Sequence, residues 1–363
     1  MKKIKNLRKY KRFVEKKNVK SLKRRLYYKK WRKHQNRLQR GVPESIGQQR
    51  NQIGKTIWEF KQVSAPRIFS LNANTEQVIE FLKQVEECYN KKLKIFVVLR
   101  NVEEIDYGAL IVLLSIMVKF KAKRIKFNGD FPKSEIVTRR LIKSGFFENL
   151  NKTFRESDTY QIAGSEEGGF ATHADKRVDP VLGDRLIKFA SKAIWSEERR
   201  CQGIQRILLE LMQNTNNHAE IGKSGEKHWW VSVNHLREKN KVCFAFVDFG
   251  VGVFRSLDNK PMNSKWFKWS EKMQKRFKYG NNADLLQLML DGKFHETVTG
   301  KYFRGKGLPG IADVQKRNQI SRLIIITNDA YCSLDECNFK TMSRSFTGTY
   351  VYWEVSNSNA SCK

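Results

Sequence analysis

The run Glu210-Leu211-Met212-Gln213-Asn214-Thr215-Asn216-Asn217-His218-Ala219 constrains this chain more than any other stretch. Its polar members Glu210, Asn214 and His218 recur every four residues, which on an α-helix places them on one face. Ile204, Ile207, Leu208 and Leu211 form an apolar stripe beside that face. A helix that turns a carboxylate, a carboxamide and an imidazole the same way, next to its core stripe, must find partners for them. Leaving such a group buried and unpaired costs roughly 1–3 kcal/mol. Residue chemistry alone leaves two readings of this helix, a polar surface face or a binding face.

Two later stretches favour the binding face. Val242 to Val247 is a β-branched and aromatic run that ends in Asp248-Phe249-Gly250-Val251-Gly252. A carboxylate at a strand end followed by spaced glycines gives an acceptor and a backbone that a ligand can approach closely. Further on comes Arg304-Gly305-Lys306-Gly307-Leu308-Pro309-Gly310-Ile311. A glycine-rich turn leading into a helical pattern offers free N–H groups to phosphate. In this order the three stretches resemble the nucleotide boxes of the GHKL superfamily of ATP-binding domains (gyrase, heat-shock chaperone, histidine kinase and mismatch-repair ATPases). The resemblance covers roughly Asp179 to Val355. It implies a Bergerat-type α/β sandwich over 179–356, a mixed sheet covered by helices, with a lid at 253–304 and a tail at 357–363.

The resemblance also implies a ligand set, ATP with Mg²⁺, and a role for each residue. Asn214 would present its side-chain oxygen to Mg²⁺ and touch the nucleotide phosphates. Glu210, one turn earlier, would be the catalytic general base, orienting a water or an acceptor hydroxyl. Asp248 would accept a hydrogen bond from the adenine amino group, with Gly250 and Gly252 leaving room for the base. Gly305 and Gly307, in the turn that Leu308 completes, would bring backbone N–H groups to the phosphates. Arg304 and Lys306 are candidate charge partners there. Thr349, after Gly348, stands where the family's last strand contributes a threonine near the adenine. His218 reads as structural, and Asn216 and Asn217 as capping or solvent-facing.

The half before this domain alternates α and β patterns, as a small sheet covered by helices does. Strands are expected at Arg67–Leu71, Lys94–Leu99 and Arg124–Phe127, and helices at Thr75–Asn90, Ala109–Phe120 and Ser134–Ser144. The segment Ile105-Asp106-Tyr107-Gly108-Ala109-Leu110 and its apolar continuation resemble the signature loop and helix of STAS domains, the fold of anti-sigma-factor antagonists. In that family a Ser or Thr directly after the Asp is often the phosphoacceptor. Here the position holds Tyr107, which argues against a phosphoserine switch. The plain alternative is that Asp106 caps the following helix. The expected organisation is therefore a basic arm and linker over 1–64, a STAS-like α/β domain over 65–152, a linker over 153–178 and the ATP-binding domain. The class is α/β, in the broad α+β sense.

Composition bounds the partners. The chain of 363 residues carries 70 Lys and Arg against 37 Asp and Glu, a formal net charge of +33. Such a field attracts polyanions: nucleic acid, an anionic membrane face or an acidic protein. The charge is densest in Met1 to Arg40, where Glu15 is the one acid and Tyr10, Phe13, Tyr27, Tyr28 and Trp31 interrupt the cations. That arm suits RNA or single-stranded DNA through phosphates and stacking, or is a solvated extension that orders against a partner. Six scattered cysteines read as reduced thiols and complete no zinc pattern. No apolar run is long enough to span a bilayer, and no secretory signal is recognisable, so a cytoplasmic location is expected. Three functional readings follow: an ATPase or a kinase of protein Ser/Thr, a nucleotide-gated interaction protein with little turnover, or a nucleic-acid-associated ATPase. A protein partner would meet the STAS-like domain or the lid, and a homodimer stays open.

Overall fold

The β-branched and aromatic runs of the second half build a five-stranded sheet around which the rest is layered. The computed structural model describes residues 60–151, 168–173, 178–218, 229–250, 252–254, 281–292 and 307–359. The labels used below number the elements in chain order. They are β1 (Lys61–Ser64), β2 (Ile68–Phe69), α1 (Thr75–Asn90), β3 (Ile95–Val98), β4 (Glu104–Ile105), α2 (Tyr107–Ala122), β5 (Phe127–Gly129), α3 (Glu135–Lys143) and α4 (Phe146–Asn151), then β6 (Gly168–His173), α5 (Pro180–Trp195), α6 (Gln202–His218), β7 (Trp229–Leu236), β8 (Lys241–Asp248), α7 (Asn282–Leu290), α8 (Gly307–Lys316), β9 (Ser321–Ser333) and β10 (Asn338–Ser356).

The large sheet runs β6-β7-β8-β10-β9. A mixed sheet was expected, yet every ladder in it is antiparallel among the described residues. The reason is local: β7–β8 and β9–β10 are hairpins, and short connections force antiparallel pairing. β9 and β10 extend well beyond their apolar segments, Arg322–Thr327 and Thr349–Val355. Their polar outer halves, such as Asn338 opposite Ser333 and Thr341 opposite Ala330, continue the ladder through bulges. β6 arises inside the stretch expected as a linker, adding itself to the edge of β7.

Side chains alternate across the sheet and give it two apolar faces. On the front, Trp229, Val231, Phe244, Phe246, Ile325, Val351 and Trp353 pack with α5, α6, α7 and α8 in one buried cluster. Phe244 and Trp353 stack with centroids 5.0 Å apart and planes 5° from parallel. Each such side chain taken out of water is worth about 1.5–3 kcal/mol. The helix α5 begins at Pro180, three residues before its apolar spacing at Gly183 marks it, because Asp179 caps it, accepting from the N–H of Leu182 at 2.9 Å.

On the back, Trp230, Ala245, Val247, Ile326, Tyr350 and Tyr352 join a second cluster built mostly from residues 63–146. These residues form a parallel three-stranded sheet, β1-β3-β5, and a parallel pair, β2-β4. Helix α2 is buried from Gly108 to Met117 because it lies between helices α1 and α4 and strands β7 and β8, while α1 meets β10. That double contact explains why α2 is apolar nearly all round. From Phe60 onward the chain is one compact unit. Lys61–Ser64, expected within the leading linker, is a strand because Val63 is buried against the core and the segment pairs with Ile95–Val98. The class is thus α+β, with parallel and antiparallel sheets. No helix among the described residues is long and apolar enough to cross a membrane. Cys88, Cys243, Cys332 and Cys337 are free thiols, but Cys201 is disulfide-bonded, a departure from the expectation of reduced thiols throughout.

Candidate functional site

Helices α6 and α8 lie antiparallel along a seam of glycines. A Cβ placed on Gly307 would sit 3.2 Å from Asn214 Nδ2 and 3.2 Å from Glu210 Oε2. One turn on, a Cβ on Gly310 would lie 2.8 Å from the guanidinium carbon of Arg206, and Gly203 approaches Val314 and Gln319 in the same way. Small residues at 307 and 310 leave the space along this seam to the side chains of α6, and a larger residue at either position would have to displace them. The result sets Glu210 and Asn214, both half-buried, beside the first turn of α8. The N–H groups of a first helical turn lack intrahelical partners and carry the positive end of the helix dipole.

The second cluster is at the end of β8. Asp248 pairs in register with Thr349 on β10 and accepts from the N–H of Gly250 at 2.9 Å. Burial pushes its carboxyl up to about 6, against hydrogen bonds from the Gly250 and Thr349 backbones and the Thr349 hydroxyl that favour the charged form. Gly348 is at φ 99°, and a side chain there would run into the Asp248 carbonyl. The turn after Asp248 folds onto β9. Thr327 Oγ1 accepts from the N–H of Val253 at 3.0 Å, and Asn328 Oδ1 accepts from the N–H of Phe254 at 3.0 Å. Gly252, at φ 79°, leaves room for the Asn328 amide, whose Oδ1 would be 2.5 Å from a Cβ. Thr327 and Thr349 hydroxyls are 3.3 Å apart, and Asn282 at the start of α7 donates to Asp329 at 2.6 Å. Phe254 shares the front-face cluster with Leu211 of α6 and Ile311 of α8, so both groups belong to one layer.

Of the residues singled out by sequence, Glu210, Asn214, Gly307 and Leu308 gather at the α6–α8 seam. Asp248, Gly250, Gly252 and Thr349 gather at the end of β8. Arg304, Gly305 and Lys306 lie outside the described residues, as do the side chains of Asn216, Asn217 and His218, most of the lid and the whole arm. Sequence reading missed Thr327 and Asn328. Their signal was a polar pair directly after the apolar run Leu323 to Ile326, at a strand end facing the Asp248 turn. Among the described residues no group of three or more His, Cys, Asp or Glu could hold a metal ion.

Asp106 takes the plainer of its two expected roles. It is the N-cap of α2, its Oδ1 accepting from the N–H of Ala109 at 2.6 Å, and its other oxygen accepts from the Ser70 hydroxyl. Burial raises its pKa, opposed by these hydrogen bonds. Tyr107 packs in the back cluster while Glu210 lies in the front layer, so the large sheet separates them. A shallow cleft also opens on the back, between α1, α2 and Ser345–Thr347. Its lining includes Phe249, over whose ring Lys119 Nζ sits at 4.4 Å. No family model, curated protein or solved structure matches this chain.

Proposed function

We propose that this protein binds Mg-ATP in the manner of GHKL domains and uses Glu210 to hydrolyse it or to direct its γ-phosphate to a protein Ser or Thr. The observation that carries this reading is the α6–α8 seam, where a carboxylate and a carboxamide sit 3.2 Å from the space a side chain on Gly307 would fill. A residue pair of that kind beside a helix N-terminus suits a phosphate chain with one metal ion. Asn214 offers one hard oxygen ligand, and phosphate and water oxygens would complete the shell, so no acidic cluster is required. Glu210 would hold the attacking oxygen and take its proton. Asp248 would accept from the base amino group, with the Thr349 hydroxyl beside it. Asn328, which fills the space beside Gly252, would hold the turn after Asp248 in place for the base. Titration of ATP with and without Mg²⁺, followed by phosphate release, tests the reading. Absence of binding sinks it.

A second reading is favoured by one contact. Phe249, between Asp248 and Gly250, packs under Lys119 of α2. A nucleotide that moves the Asp248 turn would therefore be felt by the back layer, as a nucleotide-gated interaction protein needs. Binding without phosphate release, even with candidate protein substrates added, selects this alternative.

A further inference from the structure

The small parallel sheet carries a basic edge that the nucleotide reading does not use. Two turns enter its strands with one pattern: Lys91-Lys92-Leu93-Lys94 before β3 and Lys123-Arg124-Ile125-Lys126 before β5. Each is cation, cation, aliphatic, cation, and neither contains an acid. Their backbones match as well. Leu93 donates to the Cys88 carbonyl at 2.8 Å and Ile125 to that of Phe120 at 2.9 Å, while Lys92 and Arg124 donate to Tyr89 and Lys121, each at 3.1 Å. This is a Schellman helix end used twice. Lys61 starts the third strand of the same edge, its N–H bonded to the Lys94 carbonyl at 2.8 Å, and Ile95 bonds to that of Lys126 at 3.3 Å. Lys94 and Lys126 therefore lie side by side at the entrances of β3 and β5, with Lys61 one position further along at the start of β1, opposite Ile95. The three strand entrances span roughly 10 Å at the usual strand spacing.

Ordinary structural chemistry explains part of this. Cations in a helix's last turn complement its dipole, which covers Lys119 and Lys121 of α2. It does not cover Lys61, Lys94 and Lys126, which stand at the strand entrances beyond the helices' last turns. Nor does it explain Lys92 and Arg124, which occupy left-handed backbone at φ 54° and φ 59°. That position in a Schellman end is normally glycine, because a Cβ there is strained. Both turns hold a cation where glycine would sit freely. Lys61, Lys92, Arg124 and Lys126 are all exposed. Lys123 lies 4.2 Å above the ring of Tyr89.

We propose that this edge is a docking surface for the phosphate backbone of nucleic acid. Regularly spaced cations on rigid strand ends fit a repeating anion. Most of the exposed cations are lysines, which meet phosphate as point charges, so the recognition proposed is of the backbone and independent of sequence. A peripheral membrane face would add apolar residues to enter the acyl boundary. Here Leu93 is the one large exposed apolar side chain in the two turns among the described residues. This proposal stands independently of the nucleotide site.

The test uses the full chain with Lys61→Gln, Lys92→Gly, Arg124→Gly and Lys126→Gln combined. The two glycines relieve left-handed strain, so the variant's thermal midpoint should equal or exceed the parent's. Binding of labelled duplex DNA and single-stranded RNA is then followed from 50 to 300 mM salt, in parallel with vesicles containing phosphatidylserine. The expected result is a fall of roughly 3–4 in the slope of log affinity against log salt, about one per phosphate contact removed. Affinity at the lowest salt should drop by about a hundredfold or more. Nucleic-acid binding that is absent from the parent, or unchanged in the variant, overturns the proposal. So does a loss confined to vesicle binding, which would make the edge a membrane contact.

Discussion

Gly108 lies against the phenol of Tyr350 with no space for a side chain between them: a Cβ there would be 2.8 Å from the ring's Cζ. Through this contact the turn that starts α2 is seated on β10, the strand that also supplies Thr349 to Asp248. The Tyr350 hydroxyl donates to Asn72 Oδ1 at 3.3 Å. Burial and the nearby Asp106 carboxylate keep its pKa well above the ordinary 10, so it stays a donor. Successive residues of one strand thus serve opposite faces, Tyr350 the back layer and Thr349 the front.

Gly108→Ala should therefore destabilise the protein by about 1–3 kcal/mol, the usual cost of forcing atoms into a packed interface. Urea denaturation checks this. An unchanged midpoint would mean that the two layers are not held at this point.

Asp248→Asn should raise stability and weaken nucleotide binding together. The folded carboxyl titrates at about 6, above its ordinary 3.8, chiefly because it is buried. Its contribution to stability is fully present below about pH 3.8 and is lost as pH rises through 6, so the neutral folded protein carries a penalty. Replacing the charge relieves up to roughly 2–3 kcal/mol at pH 7. Losing a charged acceptor weakens ATP binding by about tenfold to a hundredfold, from roughly 1.5–3 kcal/mol. In the parent, ATP affinity should fall below about pH 6 as Asp248 protonates. Calorimetry and thermal melts at pH 5 and 7.5 measure all three. A variant that binds ATP like the parent takes Asp248 out of the site.

Glu210→Ala should keep nucleotide and lose turnover by about a hundredfold or more, the scale of a missing general base. Asn214→Ala should instead lose the Mg²⁺-dependent part of the affinity. Phosphate release and ATP titrations with and without the metal separate the two. Turnover at the parental rate in Glu210→Ala would leave the enzyme reading without its base.

Glu354 fastens the far end of the sheet. Its carboxylate receives Lys241 at 2.7 Å, Arg322 at 3.2 Å and the Tyr352 hydroxyl at 2.6 Å. Burial pushes its pKa up, but the bonds from Lys241 and Tyr352 outweigh that and hold it below the ordinary value. Its stabilisation is present above the ordinary carboxylate pKa and is lost as pH falls through the lowered folded value. Glu354→Gln should cost about 2–3 kcal/mol at pH 7, shrinking toward acid. An equal cost at pH 7 and pH 3 would show that charge is not what Glu354 supplies.

Local sequence settled the elements whose signals are local. Thr75–Asn90 forms a helix over the residues its spacing marks, and Lys241–Asp248 is a strand around the β-branched run Val242 to Val247. Asp106 caps its helix as its sequence suggests, because a short acceptor before an apolar run satisfies free N–H groups wherever the chain then goes; Ser134 and Asp179, not read as caps, do the same. The i, i+4 spacing of Glu210 and Asn214 fixes their common face on α6 in the same way. What those residues face was not legible. The approach of Gly307 to Asn214, the capture of the Asp248 turn by Thr327 and Asn328, and the seating of Gly108 on Tyr350 join segments about 70 to 240 positions apart in the numbering. β6, which is glycine-rich, and the outer halves of β9 and β10, which are polar, were missed because such residues earn strand geometry only from a neighbouring ladder. Periodicity reports which side of an element is apolar. Only the packed structure decides which other side it meets, because that choice depends on long-range pairing and close approach, which leave no mark in a single segment.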